Sequence, residues 1–264
     1  MADWDATTYD RIADPMTAWG ARVVARTELA GDELVVDAGC GTGRVTELLL
    51  ERLGPGGRVV GMDRSPAMVA EAGRRLARFG DRVELLVADL AEPLPVRAVD
   101  VILSTATFHW IHDHDGLFAN LFQALRPGGT LVAQFGGAGN IAAVDRALDE
   151  LGRGTGPTGP SRTGSAPRGA LGAVHFETPV STGARLARAG FADVQAWLEP
   201  TPVHFDSRAE LETYLRTVIL REVVLEVAQD ERPALVAAVA DRLPGGEIDY
   251  VRLNVTARRP LVHS

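Results

Sequence analysis

The chain has 264 residues, 46% hydrophobic and 23% charged, a balance that lets it bury a sizeable core. Its net charge of −8 argues against a nucleic-acid surface, which needs a basic stripe. The single cysteine, Cys40, allows no internal disulfide and no thiolate-rich metal site, and no apolar run reaches the ~20 residues of a membrane helix. The opening "MADWDATTYD" has neither a basic start nor an apolar stretch, so a cytoplasmic protein without a signal peptide is expected.

In chain order, "YDRIADPMTAWGARVVARTEL" has helical apolar spacing, and "DELVVDAGCGTG" reads as a strand running into a glycine turn. "RVTELLLERL" is a helix closed by "GPGG", "RVVGMD" a second strand, and "SPAMVAEAGRRLARFG" a helix with Ser65 as N-cap and Pro66 at its first position. "RVELLVADL" and "VDVILSTATFHWI" follow as strands, "HDGLFANLFQALRPGG" as a helix and "TLVAQFGG" as a fifth strand. Strands alternating with helices at this spacing predict a parallel sheet covered on both faces. The stretch 152–172 is rich in glycine and proline and reads either as a plain surface loop or as a lid. Beyond it come a helix, "STGARLARAGF", a strand, "ADVQAWLEPTPVHF", two helical segments, "SRAELETYLRTVILREVVLEVA" and "RPALVAAVADRL", and a last strand, "IDYVRLNVTARR".

Asp37, Gly39, Gly41 and Gly43 stand at the carboxyl end of the first strand, where glycines let the backbone turn tightly and approach a ligand. The dinucleotide pattern G-x-G-x-x-G fails in both registers, because Arg44 and Thr46 occupy the third glycine's place. A nicotinamide-dependent oxidoreductase is therefore disfavoured. Asp63 closes the second strand; an acid there accepts hydrogen bonds from ribose hydroxyls, or caps the next helix.

The pattern D-x-G-x-G-x-G resembles motif I of the class I S-adenosylmethionine-dependent methyltransferases, and "FHWIHDHDGLFANLFQALRPGG" resembles the trans-aconitate methyltransferase group within them. The likeness is specific from about Asp37 to Gly129 and loose over the C-terminal half, which builds the substrate pocket in that family. It implies an α/β, doubly wound, seven-stranded Rossmann-like sheet with a helical cap. The chain would be a single domain, 1–264: an N-terminal cap segment, 1–30; a core sheet, 31–206, containing the 152–172 loop; a cap insertion, 207–243; and a last strand, 244–264. It implies S-adenosylmethionine as cofactor, held by Tyr9, Asp37, Gly39, Gly41, Gly43, Asp63, Asp89, Leu90 and Thr105, with Asp89 at the adenine amino group. The reaction implied is methyl transfer to a small molecule through a carboxylate, hydroxyl, amine or acidic carbon. A cofactor-binding protein or cyclase that does not methylate is the alternative on the same fold.

His109, His112 and His114 crowd the segment after the fourth strand. Imidazoles and carboxylates suit zinc or iron. However, ligands so close in sequence must converge from one loop, and no second cluster completes a set. No metal is expected; His109 and Trp110 should line the acceptor pocket, and His112 to Asp115 should form a solvated turn and helix cap. His109 is the one candidate catalytic residue, as a base or as a lining side chain, because an ionised carboxylate acceptor needs no base. Trp4, and Arg216 and Arg221 as a clamp on an acidic acceptor, complete the substrate set.

Overall fold

The computed structural model describes residues 14–152 and 174–261. Trp4, Tyr9 and most of the glycine-rich loop lie outside the described residues. Seven strands form one sheet in the order β3-β2-β1-β4-β5-β9-β6: β1 Leu34–Ala38, β2 Arg58–Asp63, β3 Val83–Val87, β4 Val99–Thr105, β5 Leu125–Gly136, β6 Ala192–Pro200 and β9 Val251–Arg258. The first five strands are parallel, with Val36 aligned to Val60 on one side and Ile102 on the other. Strand β9 runs antiparallel to β5: Gly128 donates to Arg259 O at one end of the pair and Gly137 to Val251 O at the other. The strand order reverses beside β1, where successive connections pass to opposite sides and leave a crevice at the carboxyl edge.

Side chains alternate across the sheet, so each strand feeds two cores. Val35, Val59, Val101, Leu103 and Val132 pack with Val23, Val24, Leu49, Leu50 and Leu76 from the helices Asp14–Arg26, Arg44–Arg52 and Pro66–Leu76. Val36, Val60, Met62, Ile102 and Phe135 pack on the other face with Leu117, Phe118 and Leu121 of helix His114–Ala124 and Leu186 of helix Pro179–Ala189. The continuous β-branched runs of the sequence are therefore buried from both sides. Ser65 caps its helix as expected, its Oγ accepting from Met68 N at 3.2 Å with Pro66 next in line.

Three expectations are corrected. The helix before β5 ends at Ala124 rather than at Pro-Gly-Gly: Leu125 is already extended and pairs with Val99, and the ladder shifts register before Val101 meets Thr130. Pro127 cannot donate to a helix and disfavours helical backbone at Arg126, while Arg259 Nη1 takes up the stranded carbonyls of Phe122 at 2.9 Å and Leu125 at 2.6 Å. The strand expected through "ADVQAWLEPTPVHF" breaks at Pro200, and β7, Val203–His204, pairs instead with β8, Glu247–Ile248, a bridge that also separates the start of the last expected strand from β9. The long cap helix is interrupted: Arg208–Tyr214 passes into a π-turn at Leu215–Ile219 before Arg221–Leu225 resumes.

The chain resolves into two compact units. One runs to Phe135 and includes Thr178–Trp197 and the residues from Leu253 onward; the other comprises Gly136–Glu177 and Leu198–Arg252. Within the second unit, Leu211, Tyr214, Leu235, Val236 and Val239 are buried, and the hydroxyls of Tyr214 and Tyr250 meet at 2.8 Å. No described helix is long and apolar enough to cross a membrane. Phe118, fully buried against Phe108 and His114, is expected to cost about 3–5 kcal/mol when replaced by Ala, read as a lowered urea midpoint at unchanged slope.

Candidate active site at the carboxyl edge of the sheet

The loop after β1 is shaped by its own backbone. Gly39 and Cys40 both donate to Met62 O, at 2.8 and 2.9 Å, and Gly43 donates back to Cys40 O at 2.9 Å. Gly39 has φ 88°, and a Cβ there would lie 2.1 Å from Thr107 Oγ1, so the loop after β4 closes directly on it. Gly41 differs: at φ 52° a Cβ would meet no atom of the described residues within 4 Å. The space above Gly41 is open, as a ligand cradle requires.

Asp63, at the end of β2, ties this loop to the next helix. Its Oδ2 accepts from Gly41 N at 3.0 Å and its Oδ1 from Ser65 N at 2.9 Å. It thus steadies the helix entrance, the role set against ribose binding in the sequence, while Ser65 makes the cap itself. At the end of β3, Asp89 is exposed and its Oδ1 accepts from Ala91 N at 2.9 Å. Leu90 turns its side chain into the core, and Asn120 Nδ2 donates to the neighbouring Ala91 carbonyl at 2.9 Å. Asp37 is wholly buried within β1, Oδ2 accepting from Thr46 Oγ1 at 2.6 Å and Oδ1 without a protein partner. Burial is the main cause that raises its pKa to about 7; the Thr46 hydrogen bond opposes the shift and the negative charge of Asp63 adds to it.

Past β4 the chain makes a tight strap. Thr105 O accepts from Thr107 Oγ1 at 2.9 Å, Ala106 sits in the left-handed region at φ 54°, and Phe108–Trp110 forms a single 3₁₀ turn. His109 is 8% exposed, with its ring 5.1 Å from that of Trp110, which is half-buried. His112 is exposed and Asp113 caps the following helix, accepting from Gly116 N at 2.9 Å, as expected of that turn. His114 corrects the expectation of a solvated side chain: it is completely buried, and its Nε2 lies 3.0 Å from Phe108 O. Among the described residues no three His, Cys, Asp or Glu side chains gather as metal ligands.

The first unit therefore brings together Asp37, the three glycines, Asp63, Asp89, Thr105, His109 and Trp110 at or beside the carboxyl ends of β1 to β4. Arg216, exposed in the π-turn, and Arg221, half-buried, belong to the second unit. Thr107 and Asn120 carry no motif, and the sequence reading passed over both.

A model of the methyltransferase domain matches residues 36–133. Trans-aconitate 2-methyltransferase of Acidovorax ebreus (strain TPSY) is 40% identical over 134 residues, 51% of this chain and 50% of that protein, so over such alignments the chain spans about half the length of its curated relatives. The enzyme of the same name from Methylobacterium radiotolerans is 31% identical over 245 residues, covering 93% of this chain and 90% of that protein. The chain belongs to the class I S-adenosylmethionine-dependent methyltransferases. Among solved structures, phosphoethanolamine N-methyltransferase 2 of Haemonchus contortus, in complex with S-adenosylhomocysteine, matches with a TM-score of 0.63 at 17% identity over 97% of this chain and 57% of its own, a likeness of fold.

The methyltransferase cofactor is S-adenosylmethionine, and the residues present fit it: an open space over Gly41, an exposed carboxylate at Asp89 and a buried carboxylate oxygen at Asp37 without a protein partner. The pKa of Asp37 is raised on folding, so its contribution to stability is fully present below about pH 4 and is lost as pH rises through about 7. Asp37→Asn keeps the acceptor for Thr46 and removes the titration. The urea midpoint of the wild type should therefore fall relative to that of the Asn variant between about pH 4 and pH 7; a constant difference over that range would place the ionisation elsewhere.

Proposed function

We propose that this protein transfers the methyl group of S-adenosylmethionine to a carboxylate oxygen of a small organic acid, trans-aconitate or a close analogue. The observation that carries the reading is the 31% identity to a trans-aconitate 2-methyltransferase over 245 residues, an alignment long enough to take in both units of the chain. The acidic balance of the chain favours a small acceptor over nucleic acid.

In this reading the loop Gly39–Gly43 takes the methionine part of the cofactor over Gly41, Asp63 accepts from the ribose hydroxyls, and Asp89 meets the adenine amino group. Thr105 and the backbone at Leu90 border the same edge. When bound, the cofactor supplies an electrophilic methyl carbon: an acceptor oxygen bonds to that carbon while the carbon–sulfur electron pair stays on sulfur, leaving S-adenosylhomocysteine. An ionised carboxylate has no proton to lose, so the protein contributes chiefly by holding oxygen, carbon and sulfur in line. His109 and Trp110 orient the acceptor; within the second unit, Arg216 and Arg221 are the proposed cations for acidic groups.

Incubation with S-adenosylmethionine and trans-aconitate should yield the monomethyl ester and S-adenosylhomocysteine in equal amounts. His109→Ala should lower kcat/KM roughly 10- to 100-fold while S-adenosylhomocysteine binds as before. In the Asp37→Asn variant, which lacks the titration near pH 7, the rate should stay level between about pH 6.5 and 9, where the acceptor is already ionised. A bell or a rising limb set by a histidine would instead make His109 a base acting on a protonated acceptor. Cofactor binding with no turnover on any di- or tricarboxylate would replace the proposal with a cofactor-binding protein or cyclase that does not methylate.

A further inference from the structure

We propose that His114 is a positioning residue: it sets the place of His109 and Trp110 through a hydrogen bond to the Phe108 carbonyl. The inference rests on the acceptor-orienting role proposed for His109. A carbonyl oxygen only accepts, so the Nε2 of His114 is the donor at 3.0 Å, and this fixes which ring nitrogen carries the hydrogen. The same carbonyl accepts from Ile111 N at 3.0 Å, closing the turn that carries His109 and Trp110.

The surroundings leave little freedom. Phe108, Phe118 and Phe135 are all at most 1% exposed. The His114 ring lies 5.5 Å from Phe118 and 6.0 Å from Phe135, and Phe108 is 5.3 Å from Phe135. This cluster clamps the ring of Phe108 from below while His114 holds its carbonyl. The strap is thus tied at both the ring and the carbonyl of Phe108, two residues after the left-handed Ala106.

Stability alone does not ask for an imidazole here. A leucine would fill much of the same volume among the aromatic rings without the cost of burying a polar group, and Phe108 O would keep its bond from Ile111 N. What a leucine loses is the second tie on the strap. A directional hydrogen bond in an apolar core favours one geometry among several close alternatives, and a reacting group displaced by about 1 Å loses rate on the order of 100-fold.

The test compares His114→Leu with His114→Gln, whose side-chain amide keeps a donor at similar reach. Three quantities are read: S-adenosylhomocysteine affinity by calorimetry, kcat and KM for trans-aconitate, and the Trp110 indole signal in proton–nitrogen NMR, assigned with Trp110→Phe. The Leu variant should bind S-adenosylhomocysteine within about twofold of wild type, lose about tenfold or more in kcat/KM for trans-aconitate, and show a shifted, broadened Trp110 signal; the Gln variant should recover both. Wild-type kinetics and an unchanged Trp110 signal in the Leu variant would overturn the proposal. So would loss of cofactor binding in both variants, which would make His114 a residue of the scaffold. If wild type itself does not methylate trans-aconitate, the substrate reading fails on that result alone, and the Trp110 signal still decides the role of His114.

Discussion

The Asp63 carboxylate is the interaction on which the rest of the site depends. Its two oxygens join two backbone N–H groups that belong to different segments, Gly41 in the loop after β1 and Ser65 at the entrance of the next helix. Because β1 and β2 are aligned residue by residue, with Ala38 opposite Met62, the carboxylate arrives level with the loop it must hold. The loop is then free to keep an open face at Gly41 while closing on Thr107 at Gly39. An anionic side chain in that place also helps to keep the neighbouring buried Asp37 protonated, so one residue acts on both the shape and the charge of the crevice.

The second half of the site is built by a different principle. The strap after β4 is short and partly strained, and it is immobilised from beneath by buried rings rather than by a ladder of strand hydrogen bonds. His109 and Trp110 therefore sit on supported backbone although only a single 3₁₀ turn carries them. A site assembled in this way can vary its exposed residues while its support is retained in the core.

Much of this was legible in the sequence, and for identifiable reasons. Continuous β-branched runs such as "LVV" and "RVV" could only be strands buried on both faces, and Ser65-Pro66 marked a helix start that the structure reproduces. The stretch "LRPGG" misled, because a helix seldom runs through proline and glycine but nothing local shows that Leu125 already pairs with Val99 across a register shift. His114 was misjudged for a different reason. The spacing His114, Leu117, Phe118, Leu121 places all four on one helical face, and all four are fully buried, a pattern overlaid in the sequence by the nearby His109 and His112. Thr107 could not have been found, since its value comes from where β4 delivers it, against Gly39. The division into two units was equally hidden, because each draws on segments far apart in the chain.

Calorimetric titration of S-adenosylhomocysteine into wild type and Gly41→Ala tests most directly the proposal that the open face above Gly41 is the cofactor cradle. A Cβ at Gly41 meets nothing among the described residues, so the substitution should cost only the roughly 1–2 kcal/mol of a left-handed alanine in stability. Wild type should bind, and the variant should remain folded while its affinity falls by about tenfold or more. Equal binding by the two proteins, or no binding by wild type, would contradict the placement of the cofactor at this loop.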